Sequence, residues 1–116
     1  MQTPSLNLVV LRARDPRALA SFYQAIGLKF QRERHGSGPE HFASDTGGLI
    51  FEIYPMCTEG MDTAAVRLGF RVSSISTVLS HLGSAADIIS QPSTSEWGTR
   101  CVIRDPEGHK LELLEG

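Results

Sequence analysis

Glu52 and Glu112 are the two carboxylates whose settings suggest chemistry. Each interrupts a short apolar run, Phe51-Glu52-Ile53 and Leu111-Glu112-Leu113, and the two runs are offset by 60 residues. An acid repeated at one place in two copies of a pattern suits the lining of a cleft. There it could serve as metal ligand, general base or partner of a cation. Arg12, Arg67 and Arg71 stand on strand-like runs among large apolar residues. Tyr54 follows Glu52 by two, so both side chains leave a strand on the same face. Trp97 is the single tryptophan, and an aromatic beside a cleft can stack on a planar ligand or cover an apolar contact. His35, His41, His81 and His109 show no metal-ligand spacing along the chain. His41 alone sits in a strand that could aim it at a cleft, and His109, just after a turn, is expected at the surface. No nucleophile elbow or phosphate loop is present.

Composition removes several classes of function. The chain has 116 residues, 41% hydrophobic and 21% charged, the balance of one ordinary globular domain. A net charge of -2 with scattered arginines offers a nucleic acid no basic stripe. Cys57 and Cys101 form no C-x-x-C pair and read as reduced thiols. No apolar stretch approaches the ~20 residues that span a bilayer. The opening Met-Gln-Thr-Pro-Ser lacks a basic-then-apolar leader pattern, so the expected location is cytoplasmic.

The elements that must position these residues come in a repeated order. Leu6–Arg14 reads as a strand ending at Asp15-Pro16, an N-cap followed by proline at the first helical position. Leu19, Phe22, Tyr23 and Ile26 form one helical stripe closed by Gly27. Three strands are predicted next, over Leu28–His35, Glu40–Asp45 and Leu49–Tyr54, separated by glycine-rich turns. The order then recurs. A strand over Ala65–Ser73 precedes a helix with Ile75, Val78, Leu79 and Leu82 on one face and Gly83 at its end, and strands follow over Ala86–Ser90, Thr99–Arg104 and Lys110–Glu115. Pro55–Thr63 reads as a linker and Gln91–Trp97 as a mobile loop. An offset of 59 sets Leu11 on Phe70, Asp15 on Ser74 and Leu19 on Val78. Matched order and matched periods indicate a duplicated unit. The expected fold class is α+β. It is one domain over 1–116, built from two βαβββ modules of about 5–55 and 64–116, whose curved mixed sheets form a cleft.

Strand parity sorts the faces. Val9, Leu11 and Ala13, with Phe51 and Ile53, make an apolar set to lie under a helix, as do Leu68, Phe70 and Val72 with Leu111 and Leu113. The opposite faces carry Arg12, Glu52, Arg67, Arg71 and Glu112 among apolar groups, which suits a ligand cleft better than a dry core.

Three segments, LNLVVLRARDPRALASFYQAIGLKF, GLIFEIY and RDPEGHKLELLE, resemble the vicinal oxygen chelate superfamily of glyoxalase I, bleomycin-resistance proteins and extradiol dioxygenases. The resemblance implies paired βαβββ modules enclosing a cavity, and a homodimer. Metal-using members take a ligand from the first and last strands of each module, which here fall on Leu8, Glu52, Arg67 and Glu112. The two glutamates match, but leucine has no donor atom and arginine stays protonated. No cofactor is therefore expected. Arg67 would supply the positive charge instead, through charge-assisted bonds to Glu112, Glu52 or both. The favoured reading is a small-molecule binding protein of the bleomycin-resistance kind. The alternatives are a metal-dependent lyase or dioxygenase, and a metal-free enzyme using Glu52 or Glu112 as general base. The expected ligand-binding residues are Arg12, Glu52, Tyr54, Arg67, Arg71, Trp97 and Glu112.

Overall fold

A computed structural model describes residues 2–58 and 60–116. Met1 of the opening segment and Glu59 of the expected 55–63 linker lie outside the described residues. The chain divides into two compact units, Met1–Asp62 and Thr63–Gly116.

The first unit runs β1 (Leu8–Ala13), α1 (Pro16–Ile26), β2 (Gln31–Glu33), β3 (His41–Thr46) and β4 (Leu49–Pro55). Its sheet has the order β1-β4-β3-β2, parallel between β1 and β4 and antiparallel elsewhere. Asp15 caps α1, its Oδ1 accepting from the Ala18 amide at 3.0 Å. The helix stops at Gly27, whose φ of +126° strains any residue with a β-carbon. Leu11, Ala13, Phe51 and Ile53 of the sheet and Leu19 and Tyr23 of the helix are all buried in one core. Each large side chain there contributes about 1.5–3 kcal/mol by leaving water. Tyr23 packs tilted on Phe51 with ring centres 5.0 Å apart.

The second unit repeats the plan with β5 (Arg67–Val72), α2 (Ile75–Leu82), a 3-10 turn (Gly83–Ala85), β6 (Asp87–Ser95), β7 (Gly98–Arg104) and β8 (Lys110–Glu115). The sheet order is β5-β8-β7-β6, again with only the first pair parallel. Ser74 Oγ accepts from the Thr77 amide at 3.2 Å, as Asp15 does at the matching place in the first unit. A carboxylate oxygen of Glu115 adds a second cap, accepting from the Ile75 amide at 2.8 Å. Ile75, Val78, Leu82, Cys101, Ile103, Leu111 and Leu113 are buried. The fold is α+β, two βαβββ modules with mixed sheets.

Two elements differ from the sequence reading. The strand expected over Leu28–His35 is only Gln31–Glu33, because the Leu28 amide still donates to the Tyr23 carbonyl and completes the exit from α1. The loop expected over Gln91–Trp97 is mostly strand: β6 runs on to Ser95 and pairs with β7 through Ser93, Thr94 and Ser95. Pro92 is tolerated because β6 is an edge strand and its register shifts between Ser90 and Ser93. Trp97 sits in the tight turn that follows and is 74% exposed.

Candidate functional site

In the first unit, the sheet face away from α1 is built in cross-strand rows. Register aligns Arg12 with Tyr54 and His41 with Glu33. Tyr54 and His41 stack nearly parallel, 4.1 Å between ring centres and 8° between planes, which joins the two pairs into one row. The Arg12 guanidinium lies 5.1 Å from the Tyr54 ring centre on this same face. In the next row Val10, Glu52 and Ala43 align. The face is thus a layered arrangement of arginine, tyrosine and histidine beside a carboxylate. A hollow of about 460 Å³ opens on this face, with Lys29, Gln31, Glu33, Asp45, Ile50 and Glu52 in its wall.

His41 is the buried centre of this arrangement, at 1% exposure. Its Nε2 is 3.4 Å from Glu33 Oε1 and 3.6 Å from Glu52 Oε2. His35 Nε2 approaches the same Glu33 oxygen at 3.4 Å. Glu33, His35 and His41 present donor atoms all within 4.8 Å of one another. Chain spacing gave no hint of this, because the antiparallel β2–β3 register, and not a short sequence interval, makes the group. The period-2 alternation of β3 was the one available signal, and it depended on where β3 begins.

In the second unit, the face away from α2 is rich in cations. One row aligns Arg67, Lys110, Arg104 and Asp87, with Arg104 bridged to Asp87 at 3.3 Å. The next aligns Gly69, Glu112 and Val102, and the next Arg71, Leu114 and Arg100. Glu112 lies between two guanidiniums: Oε2 is 3.7 Å from Arg67 Nη2 and Oε1 is 3.0 Å from Arg100 Nη2. Arg67 is thus a partner of Glu112, and Arg100 is a second partner that the sequence reading did not single out. A smaller hollow of about 340 Å³ is lined by Arg67, Arg104 and Lys110.

Four ligand positions are implied by the resemblance: Leu8, Glu52, Arg67 and Glu112. Leu8 offers no donor, and both carboxylate oxygens of Glu112 face guanidiniums. His81 is exposed on α2.

His109 corrects the expectation of a surface residue, for it is fully buried. Its Nδ1 donates to Asp105 Oδ2 at 2.8 Å and its Nε2 bonds the Thr63 hydroxyl at 2.7 Å. Asp105, itself buried, also accepts from the amides of Glu107 and His109 at 2.9 and 3.0 Å. This network braces the turn that launches β8, and with it Glu112.

The model of a family described as a glyoxalase-like domain matches residues 8–114. No curated protein sequence matches. Among solved structures, the antibiotic-binding protein TnmS3 from Streptomyces sp. CB03234 is similar over 99% of this chain and 98% of its own, at 17% identity and a TM-score of 0.75. TioX from Micromonospora sp. ML1 is similar over 97% and 98%, at 24% identity and a TM-score of 0.72. A glyoxylase/bleomycin resistance protein/dioxygenase domain from Frankia sp. EAN1pec is similar over 99% of each chain, at 21% identity and a TM-score of 0.75.

Proposed function

The chain belongs to the glyoxalase-like domain family, and we propose that within it this protein binds a small organic molecule without a metal at the family's ligand position. The observation that carries the proposal is Glu112 held between Arg67 and Arg100, at 3.7 and 3.0 Å, with Leu8 in another ligand position. A cation that the family's metal would supply is here part of the protein. Each unit offers contacts of its own: Arg12, Glu52 and Tyr54 in the first, and Arg67, Arg71, Trp97 and Glu112 in the second. A ligand with planar aromatic and anionic parts suits that set, the first through stacking and the second through guanidinium contacts. The antibiotic-binding relative supports an antibiotic as the ligand class. A homodimer in the cytoplasm belongs to the same proposal.

The reading predicts sequestration without conversion. A panel of antibiotics that includes metal-free bleomycin is incubated with the protein, and bound material is recovered and weighed by mass spectrometry. Recovery of an unchanged ligand is expected, with the fluorescence of Trp97 altered on binding. Appearance of a hydrolysed, isomerised or oxygenated product would replace binding by catalysis.

A further inference from the structure

We infer that the first unit carries a divalent transition-metal site of its own, formed by Glu33, His35 and His41, none of which is a ligand position implied by the resemblance. The inference goes beyond the binding proposal and does not depend on it.

Three observations converge. The first is spacing. Zinc bonds to histidine nitrogen and carboxylate oxygen are about 2.0–2.1 Å, so neighbouring ligands on a tetrahedron lie about 3.4 Å apart. Glu33 Oε1 is 3.4 Å from both His41 Nε2 and His35 Nε2, and all three donor atoms lie within 4.8 Å of one another. The second is an unsatisfied atom. His41 is 1% exposed, and its Nε2 is a buried nitrogen without a hydrogen-bond partner among the described residues. It points at two carboxylates, Glu33 and Glu52. The third is the tautomer. His41 Nδ1 is 3.3 Å from the Pro39 carbonyl, to which it can only donate. That leaves the lone pair on Nε2, the arrangement in which a backbone acceptor orients a metal-binding imidazole. Stacking on Tyr54 holds the ring in plane.

Burying a lone pair against two anionic oxygens is unfavourable unless a positive charge lies between them. A proton on Nε2 is one such charge; a metal ion is the other, and a metal would also draw on His35 Nε2, 3.4 Å from the same Glu33 oxygen. Two imidazoles and one carboxylate favour zinc over the oxygen-seeking magnesium or calcium. Three protein donors would leave one tetrahedral position open for water or a further ligand.

The test uses the full chain, stripped with a chelator and titrated with Zn²⁺ by calorimetry and with Co²⁺ by visible absorption. One Zn²⁺ per chain is expected at micromolar or tighter affinity, with the intense absorption of tetrahedral Co²⁺. His35→Ala and Glu33→Gln, at exposed and half-buried positions, should each weaken binding at least tenfold without unfolding the protein. Glu112→Gln should retain the wild-type affinity for Zn²⁺. Because His41→Ala would empty a buried position, His41 is read in the wild type: its Nε2 nitrogen resonance should shift on addition of Zn²⁺. No saturable Zn²⁺ binding, binding indifferent to His35→Ala and Glu33→Gln, or an unmoved His41 resonance would overturn the inference. Loss of binding in Glu112→Gln would assign the ion to the family's position and overturn both proposals, whereas the other failures leave the binding proposal standing.

Discussion

At the scale of single residues, two acids in the second unit have opposite settings and should respond differently to mutation. Glu112 is partly exposed and its arginine partners more so, with 56% and 43% of their side chains in solvent. Pairs of that kind contribute about 1 kcal/mol or less, so Glu112→Gln should barely move a urea-denaturation midpoint. Asp105 and His109 are buried and hydrogen-bonded at every nearby donor. His109→Ala leaves Asp105 short of a partner and opens a cavity, and should cost about 2–4 kcal/mol in the same experiment. The contrast shows what residue type alone conveys. Sequence parity was enough to group Glu112 with Arg67, but it could not reveal that the Asp105 turn folds its histidine inward, since that depends on Thr63 waiting 46 residues upstream.

Cys101 gives a pH-dependent counterpart. Burial pushes its thiol above the ordinary thiol value. The folded chain therefore holds this proton more tightly than the unfolded chain, and its contribution to stability is lost only as pH rises past the unfolded thiol's pKa of about 8.5. At neutral pH a thiol reagent should label exposed Cys57 quickly and Cys101 only on unfolding. Two fast thiols in the native protein would contradict the described core.

Among elements, the two helices are the part most completely written in the sequence, because cap, stripe and stop are all local. Asp15 and Ser74 occupy matching positions and make matching bonds. Asp15→Ala and Ser74→Ala should each cost about 1 kcal/mol. The Ser74 variant should lose less, since Glu115 also caps α2. Equilibrium unfolding of the two variants checks both the size and the order. The strand faces were legible for the same reason, period two being a local property. The second half of β6 was not. Gln91 to Ser95 is polar, contains a proline and is exposed throughout, so nothing in its composition separates an edge strand from a loop. Pairing with β7 decides it, and that pairing lies across a turn.

At the scale of the molecule, the duplicated plan explains why one chain carries two comparable polar sheet faces, and divergence explains why they differ. The first unit's face stacks Arg12, Tyr54 and His41 beside Glu33 and Glu52; the second sets Glu112 among arginines. Family membership accounts for the shared architecture and leaves the ligand to these side chains. The central claim is that binding needs no metal at the family's position. Its most direct test is calorimetric titration of the chelator-stripped protein with the antibiotic panel. The account predicts saturable binding of at least one member, equally tight with and without chelator, and weakened at least tenfold by Arg67→Ala. Binding that appears only after a divalent ion is restored, or no saturable heat from any member, would contradict it.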